Sequence, residues 1–186
     1  MAEATETRPR AAAIVAAART ILDADGPEAL TMRRLGDAVG IRAPSLYRHF
    51  PDKAAVEAVL LEAGFDELAD AFEATAEHGG ASLATIGRVY RAFAMSRPHL
   101  YRLMTAGRLP RERLRPDVDV RPALPLMRAT GGDEHLARAA WAFAHGMVIL
   151  ELDDRFPSGA DLDAAWEVGL AAFAAKVVVQ ERRESS

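Results

Sequence analysis

The chain has 186 residues, of which 50% are hydrophobic, 27% charged and 6% aromatic, and its formal net charge is −4. It has no cysteine, which excludes disulfides and thiolate metal sites and suits a reducing cytoplasm. No apolar run approaches the ~18 residues of a membrane span, and the polar start MAEATETRPR reads as a loose tail without the apolar core of a secretory leader.

An acidic chain is a poor general partner for nucleic acid, but the charge is unevenly spread. Residues 1–53 carry eight Arg/Lys against seven Asp/Glu, and residues 54–186 carry fifteen against twenty. A small basic face on an acidic body is compatible with phosphate binding.

Between residues 10 and 25, Ile14, Ala17, Ala18, Ile21 and Leu22 recur at helical spacing, which predicts an amphipathic helix stopped by Gly26-Pro27. Thr31 then offers an N-cap hydroxyl to a short helix through Val39. Arg34 stands where a capping box would place Glu, so half of that motif is present. Gly40 supplies a residue that takes a positive φ at little cost, and Ile41 is the apolar residue that would plug the turn. A two-turn helix over about residues 43–49 follows, with Leu46 and Phe50 inward and Arg42, Ala43, Pro44, Ser45, Tyr47, Arg48 and His49 outward or flanking. Pro44 fits a first helical turn, where amides need no intrahelical acceptor.

Asp52 caps a long helix over about residues 53–75, whose wide apolar face requires more than one neighbour. His78-Gly79-Gly80 ends it, Ser82 starts a helix to Ser96, and Pro98 starts another to Ala106-Gly107. Residues 108–125 are proline- and arginine-rich and predict a loop leading to a short helix that ends at Gly131-Gly132. Two apolar helices, about 133–154 and 161–183, complete the chain, with Glu151, Asp153 and Asp154 read as a solvated helix end. No strand alternation or internal repeat is visible, so the predicted class is all-α with about nine helices.

Two short helices joined at a glycine turn and braced by a preceding helix have helix-turn-helix geometry. Small residues at the start of the second helix let it approach base edges. Arginine reaches guanine or phosphate, and Tyr and His donate to phosphate. The plainer reading is a helical hairpin with a solvated polar face.

The segment GPEALTMRRLGDAVGIRAPSLYRHFPDKAAV, with the helix before it, resembles the tetracycline-repressor (TetR) family of bacterial transcription regulators. The likeness rests on a small-residue recognition helix followed by L-Y-x-H-F and a D-K pair. It implies a helix-turn-helix DNA-binding domain over residues 8–54, with the motif at about 30–49, and a helical effector-binding and dimerisation domain over residues 55–186. It implies that Ser45, Tyr47, His49 and Lys53 contact phosphate or sugar, that Arg42, Ala43, Pro44 and Arg48 lie at base edges, and that Thr31 caps its helix and touches the backbone. Trp141, His145 and Gly146, before MVILEL, resemble the W…HG signature of one subgroup of the family's C-terminal domains.

Trp141 and His145 share a helix face, either as core structure or as part of an effector pocket. Phe65, Tyr90, Phe93, Tyr101, Met104, Met127, Phe143 and Met147 are further pocket candidates, although core packing is the better reading for most of them. Val148, Leu152, Trp166, Leu170, Phe173 and Val177 are candidates for the two-fold dimer interface that the resemblance implies. No phosphate loop, nucleophile elbow or H-E-x-x-H zinc motif is present, so the expectation is no catalysis, no metal and no cofactor. The expected molecule is a cytoplasmic, homodimeric regulator, most often a repressor in this family, with a near-palindromic DNA operator and a small-molecule effector as partners. The competing reading is a helical protein-interaction module without sequence-specific DNA binding.

Overall fold

A computed structural model describes residues 3–76 and 82–184, with side chains over 9–75 and 82–178. Its described residues form nine α-helices: α1 (Glu3–Asp25), α2 (Met32–Val39), α3 (Ala43–His49), α4 (Lys53–Ala76), α5 (Leu83–Ser96), α6 (Pro98–Thr105), α7 (Leu124–Ala129), α8 (Glu134–Leu152) and α9 (Leu162–Glu184). Three short 3-10 turns, Pro27–Ala29, Arg111–Arg113 and Arg121–Ala123, interrupt the connections. No strand occurs among the described residues, and none of their helices is long and apolar enough to cross a membrane. The expected stop at His78, Gly79 and Gly80 lies outside the described residues. The expected loose tail is corrected: the backbone is helical from Glu3, with Pro9 inside the helix, where the ring's fixed φ is helix-compatible and one intrahelical hydrogen bond is lost.

The chain divides into two units, one of residues 1–65 and 97–118 and the other of 66–96 and 119–186. The first therefore reaches past residue 54 and takes in α6 and the loop after it. Within it, α1 packs on α2 and α6, and α2 packs on α3. Ile14, Ala18, Ile21 and Leu22 of α1 are buried with Leu35 and Leu46, as the helical spacing requires. Arg34, the residue that broke the capping box, instead pairs with Asp25 at the end of α1.

Within the second unit α5 packs on α7, α8 and α9, and α8 packs on α9. The α8–α9 contact is a wedge. Phe143 stands edge-on to Trp166 and tilted on Phe173, each with centroids 5.8 Å apart. A Cβ on Gly169 would lie 2.0 Å from the Phe143 ring, so glycine there is a condition of the close approach. The inward seam of α8 is Ala137, Ala140, Ala144 and Val148, and that of α9 includes Trp166 and Leu170, the latter against Gly87 of α5.

Arg91 of α5 ties these helices together. Its Nε donates to Glu151 at 2.9 Å and its Nη1 to Asp163 at 2.5 Å. The Trp166 indole N–H donates to the other Glu151 oxygen, and the Arg91 guanidinium lies 5.7 Å from the Trp166 ring centroid. The Glu151 side chain is only 4% exposed, which corrects its reading as part of a solvated helix end; Asp153 and Asp154 are exposed. At the penultimate position of α8, Glu151 meets donors from α5 and α9, and a carboxylate at that depth requires the donors it has.

Candidate nucleic-acid interface

The reading head is built from the turn outward. Thr31 Oγ1 accepts from the Arg34 amide at 3.2 Å and caps α2. Gly40 closes the helix at φ 65°, a conformation glycine adopts without steric cost. The Ile41 amide donates to the Gly36 carbonyl at 3.0 Å. Sequence reasoning missed Gly36: a Cβ there would meet the Ile41 carbonyl oxygen at 3.1 Å. A glycine inside so short a helix was the available signal.

Leu46 and Phe50 anchor α3, at 0% and 8% exposure. With those two inward, helical spacing turns Ala43, Pro44, Tyr47 and Arg48 outward together, and all four are exposed, as is Arg42. Tyr47 retains 49% of its surface. Ser45 and His49 are half-buried. Arg48 donates to Ser45 Oγ at 3.2 Å. His49 Nδ1 is buried without a partner among the described residues, which leaves Nε2 as the ring nitrogen able to meet a ligand. Lys53 Nζ donates to the Pro27 carbonyl at 3.0 Å and lies 3.1 Å from Glu57, so it braces α4 against the turn after α1.

Asp52 sits where α3 gives way to α4. It accepts from the Ala55 amide at 2.7 Å and from Arg113 Nη1 at 3.0 and 3.1 Å. The Ala55 amide and then Arg113 hold its carboxyl below the usual aspartate range. The Asp52 cap follows the sequence pattern; Arg113, 61 residues on, had no local signal.

The effector candidates are not one cluster by unit. Phe65, Tyr101 and Met104 belong to the first, and Tyr90, Phe93, Met127, Trp141, Phe143, His145 and Met147 to the second. Tyr90, Phe93 and Tyr101 are buried, and Phe65, Met104, Met127 and Met147 are half-buried. Phe143 is the α8–α9 wedge. Trp141 is 52% exposed, because it follows buried Ala140 by one residue and is rotated outward by about 100°. It stacks on His145 at 6.2 Å, and burial holds the His145 imidazole below its ordinary range.

The dimer candidates differ in burial. Val148, Trp166 and Leu170 are buried within their own unit and cannot form an outer face; Leu152, Phe173 and Val177 are half-buried. The outward apolar residues are instead Trp141 and Leu150 on α8, with Val168 and Val178 on α9. Ala164, Ala171 and Ala175 join the α9 pair at alternating spacings of four and three, and all are exposed.

Residues 14–60 match the model of the bacterial regulatory proteins of the tetR family, and residues 83–173 match that of the tetracyclin repressor-like C-terminal domain. The uncharacterized HTH-type transcriptional regulator YobS of Bacillus subtilis is 32% identical over 92 residues. That match covers 47% of each protein, so the chain spans about half the length of the curated relative it matches. Among solved structures, a protein with unknown function from Rhodococcus sp. RHA1 superposes with TM-score 0.74 at 22% identity, over 90% of this chain and 94% of that one. A TetR variant from Acinetobacter baumannii AYE, in complex with minocycline, superposes with TM-score 0.60 at 21% identity, over 93% and 97%. These two likenesses are of fold. Matched by family models at its head and in its body, the chain belongs to the tetR family of bacterial regulatory proteins.

Proposed function

We propose that this chain is a homodimeric transcriptional repressor that binds a near-palindromic operator in double-stranded DNA and answers to a small-molecule effector. The observation that carries the reading is the α3 surface: Arg42, Ala43, Pro44, Tyr47 and Arg48 stand outward on a helix anchored by buried Leu46 and Phe50. Small residues open the way to base edges, and Arg42 and Arg48 supply guanidinium donors for guanine or phosphate. Ser45, Tyr47, His49 and Lys53 serve as phosphate or sugar contacts, and Thr31 joins them from its cap position.

In this reading the body carries the control. The A. baumannii TetR variant holds minocycline, and a comparable use of the second unit here is supported by α5, α7 and α8 packing on one another. Those helices carry Tyr90, Phe93, Met127 and Met147, which suit an apolar ligand. The outward stripe of Ala164, Val168, Ala171, Ala175 and Val178 on α9 is the surface we assign to the second copy. An effector releases DNA only to the extent that it binds the non-operator state more tightly.

The test is enrichment of bound duplexes from random DNA, followed by affinity measurements on the winner. Tyr47→Phe is expected to weaken every sequence alike, by about threefold to tenfold for one lost hydrogen bond. Arg42→Ala is expected to relax preference at particular base pairs, at about 1–3 kcal/mol per lost base contact. If no sequence is enriched, the chain is better read as a helical protein-interaction module.

A further inference from the structure

The reading head itself, residues 30–53, carries five Arg/Lys against Asp37 and Asp52, but the acidic residues on either side of it cancel that excess. Residues 1–65 hold eight Arg/Lys against nine Asp/Glu, a net −1. Residues 97–118, the other part of the same unit, add six arginines against Glu112 and Asp117, which brings the unit to +3. The second unit, with nine basic and sixteen acidic residues, stands at −7. The positive excess of the DNA-facing unit therefore comes from α6 and the loop after it.

That loop is seated beside the head. Arg113 grips both oxygens of Asp52, the residue that caps α4 immediately after α3. Two residues on, the Arg115 amide donates to Glu62 at 2.5 Å, and its guanidinium lies 3.7 Å from the same carboxylate. The loop thus runs along the first turns of α4, and its 3-10 turn Arg111–Arg113 lies at the α3–α4 joint. Arg113 and Arg115 spend their charge on Asp52 and Glu62. Arg108 does not: its side chain is 84% exposed, and the carboxylate paired with it, Glu112, is 58% exposed at 3.8 Å. A pair so open to water contributes little. Arg111 is exposed in the same turn.

We propose that residues 108–113 form an accessory phosphate-binding edge of the DNA-reading unit, with Arg108 and Arg111 as phosphate ligands and Arg113 as the positioning residue. This rests on the operator-binding reading above and adds a second set of contacts to it. With α3 in the major groove, the phosphates bordering that groove lie beside the α3–α4 joint, where the loop presents its arginines. Anchored through Arg113 and Arg115, the loop meets DNA with less ordering cost than a free one. Glu112 moderates the edge by competing with phosphate for Arg108.

The experiment compares full-length proteins on the duplex that the wild type enriches, by fluorescence anisotropy between about 50 and 200 mM salt. Arg108→Gln combined with Arg111→Gln is expected to make the slope of log affinity against log salt shallower by about two, with base preference unchanged. Arg113→Gln is expected to shift it the same way by less, and Glu112→Gln to tighten binding at every salt concentration. An unchanged slope in the double variant, while Arg42→Ala still relaxes base preference, overturns the accessory edge and leaves the operator reading standing. Failure of the wild type to enrich any duplex overturns both.

Discussion

The two units solve opposite surface problems. The first exposes polar and basic side chains on α3 and buries the apolar residues beneath them; the second exposes an apolar stripe on α9 and buries a carboxylate, Glu151, between Arg91 and Trp166. A surface meant for DNA stays wetted and adaptable until phosphate displaces its water. A surface meant for another apolar face leaves hydrophobic area in water, and the helices carrying it need rigid internal bracing. Bracing accordingly sits in the second unit, in the Phe143 wedge and the Arg91–Glu151–Trp166 cluster.

The sharpest way to break this contrast is at the wedge. Gly169→Ala forces the Phe143 ring out of its seat and is expected to cost about 3 kcal/mol, seen as a lowered midpoint in urea unfolding; adding Phe143→Leu should recover part of the loss. A wild-type midpoint in Gly169→Ala would mean that α8 and α9 slide apart freely, and the bracing idea would fall. Next comes the charged cluster. Glu151→Ala leaves the Trp166 indole N–H without its acceptor and Arg91 with Asp163 alone, at roughly 2 kcal/mol. The loss should appear in thermal unfolding and should be matched, not doubled, when Arg91→Ala is added.

The smallest effect tells whether a second copy also covers α8. Gly146 lies inside α8, yet a Cβ there would meet nothing within 4 Å. In the isolated chain Gly146→Ala should therefore stabilise by about 1 kcal/mol through helix propensity. If a second copy packs on that face, the methyl group should weaken the dimer instead, which sedimentation at several protein concentrations will register. Gain in stability with no change in association would move the interface away from the middle of α8.

Legibility followed sequence distance. The head was readable because its parts lie within about two dozen residues: the Thr31 cap, the Gly40 turn, the Leu46 and Phe50 anchors, and the side chains they turn outward. Local rules of capping, turn geometry and helical spacing determine all of these. The body was read as helices, and its helices are there, but sidedness stayed open. Val148, Trp166 and Leu170 went inward and Val168 outward because α8 and α9 are apolar on several sides, and periodicity alone does not choose among those faces. Glu151 was read as solvated because nothing near it in sequence announces Arg91 or Trp166 as its donors.

By itself, then, the sequence determined the helical class, the turn and caps of the reading head, and the outward set on α3, since each depends on residues a few positions apart. Tertiary structure decided where Arg113 would be spent, that Lys53 would brace Pro27, which face of α8 and α9 would close against α5, and which would be left to water. Those outcomes depend on pairings across some sixty residues, such as Asp52 with Arg113 and Arg91 with Glu151. Such pairs come together only once the helices have packed and their charges must find partners.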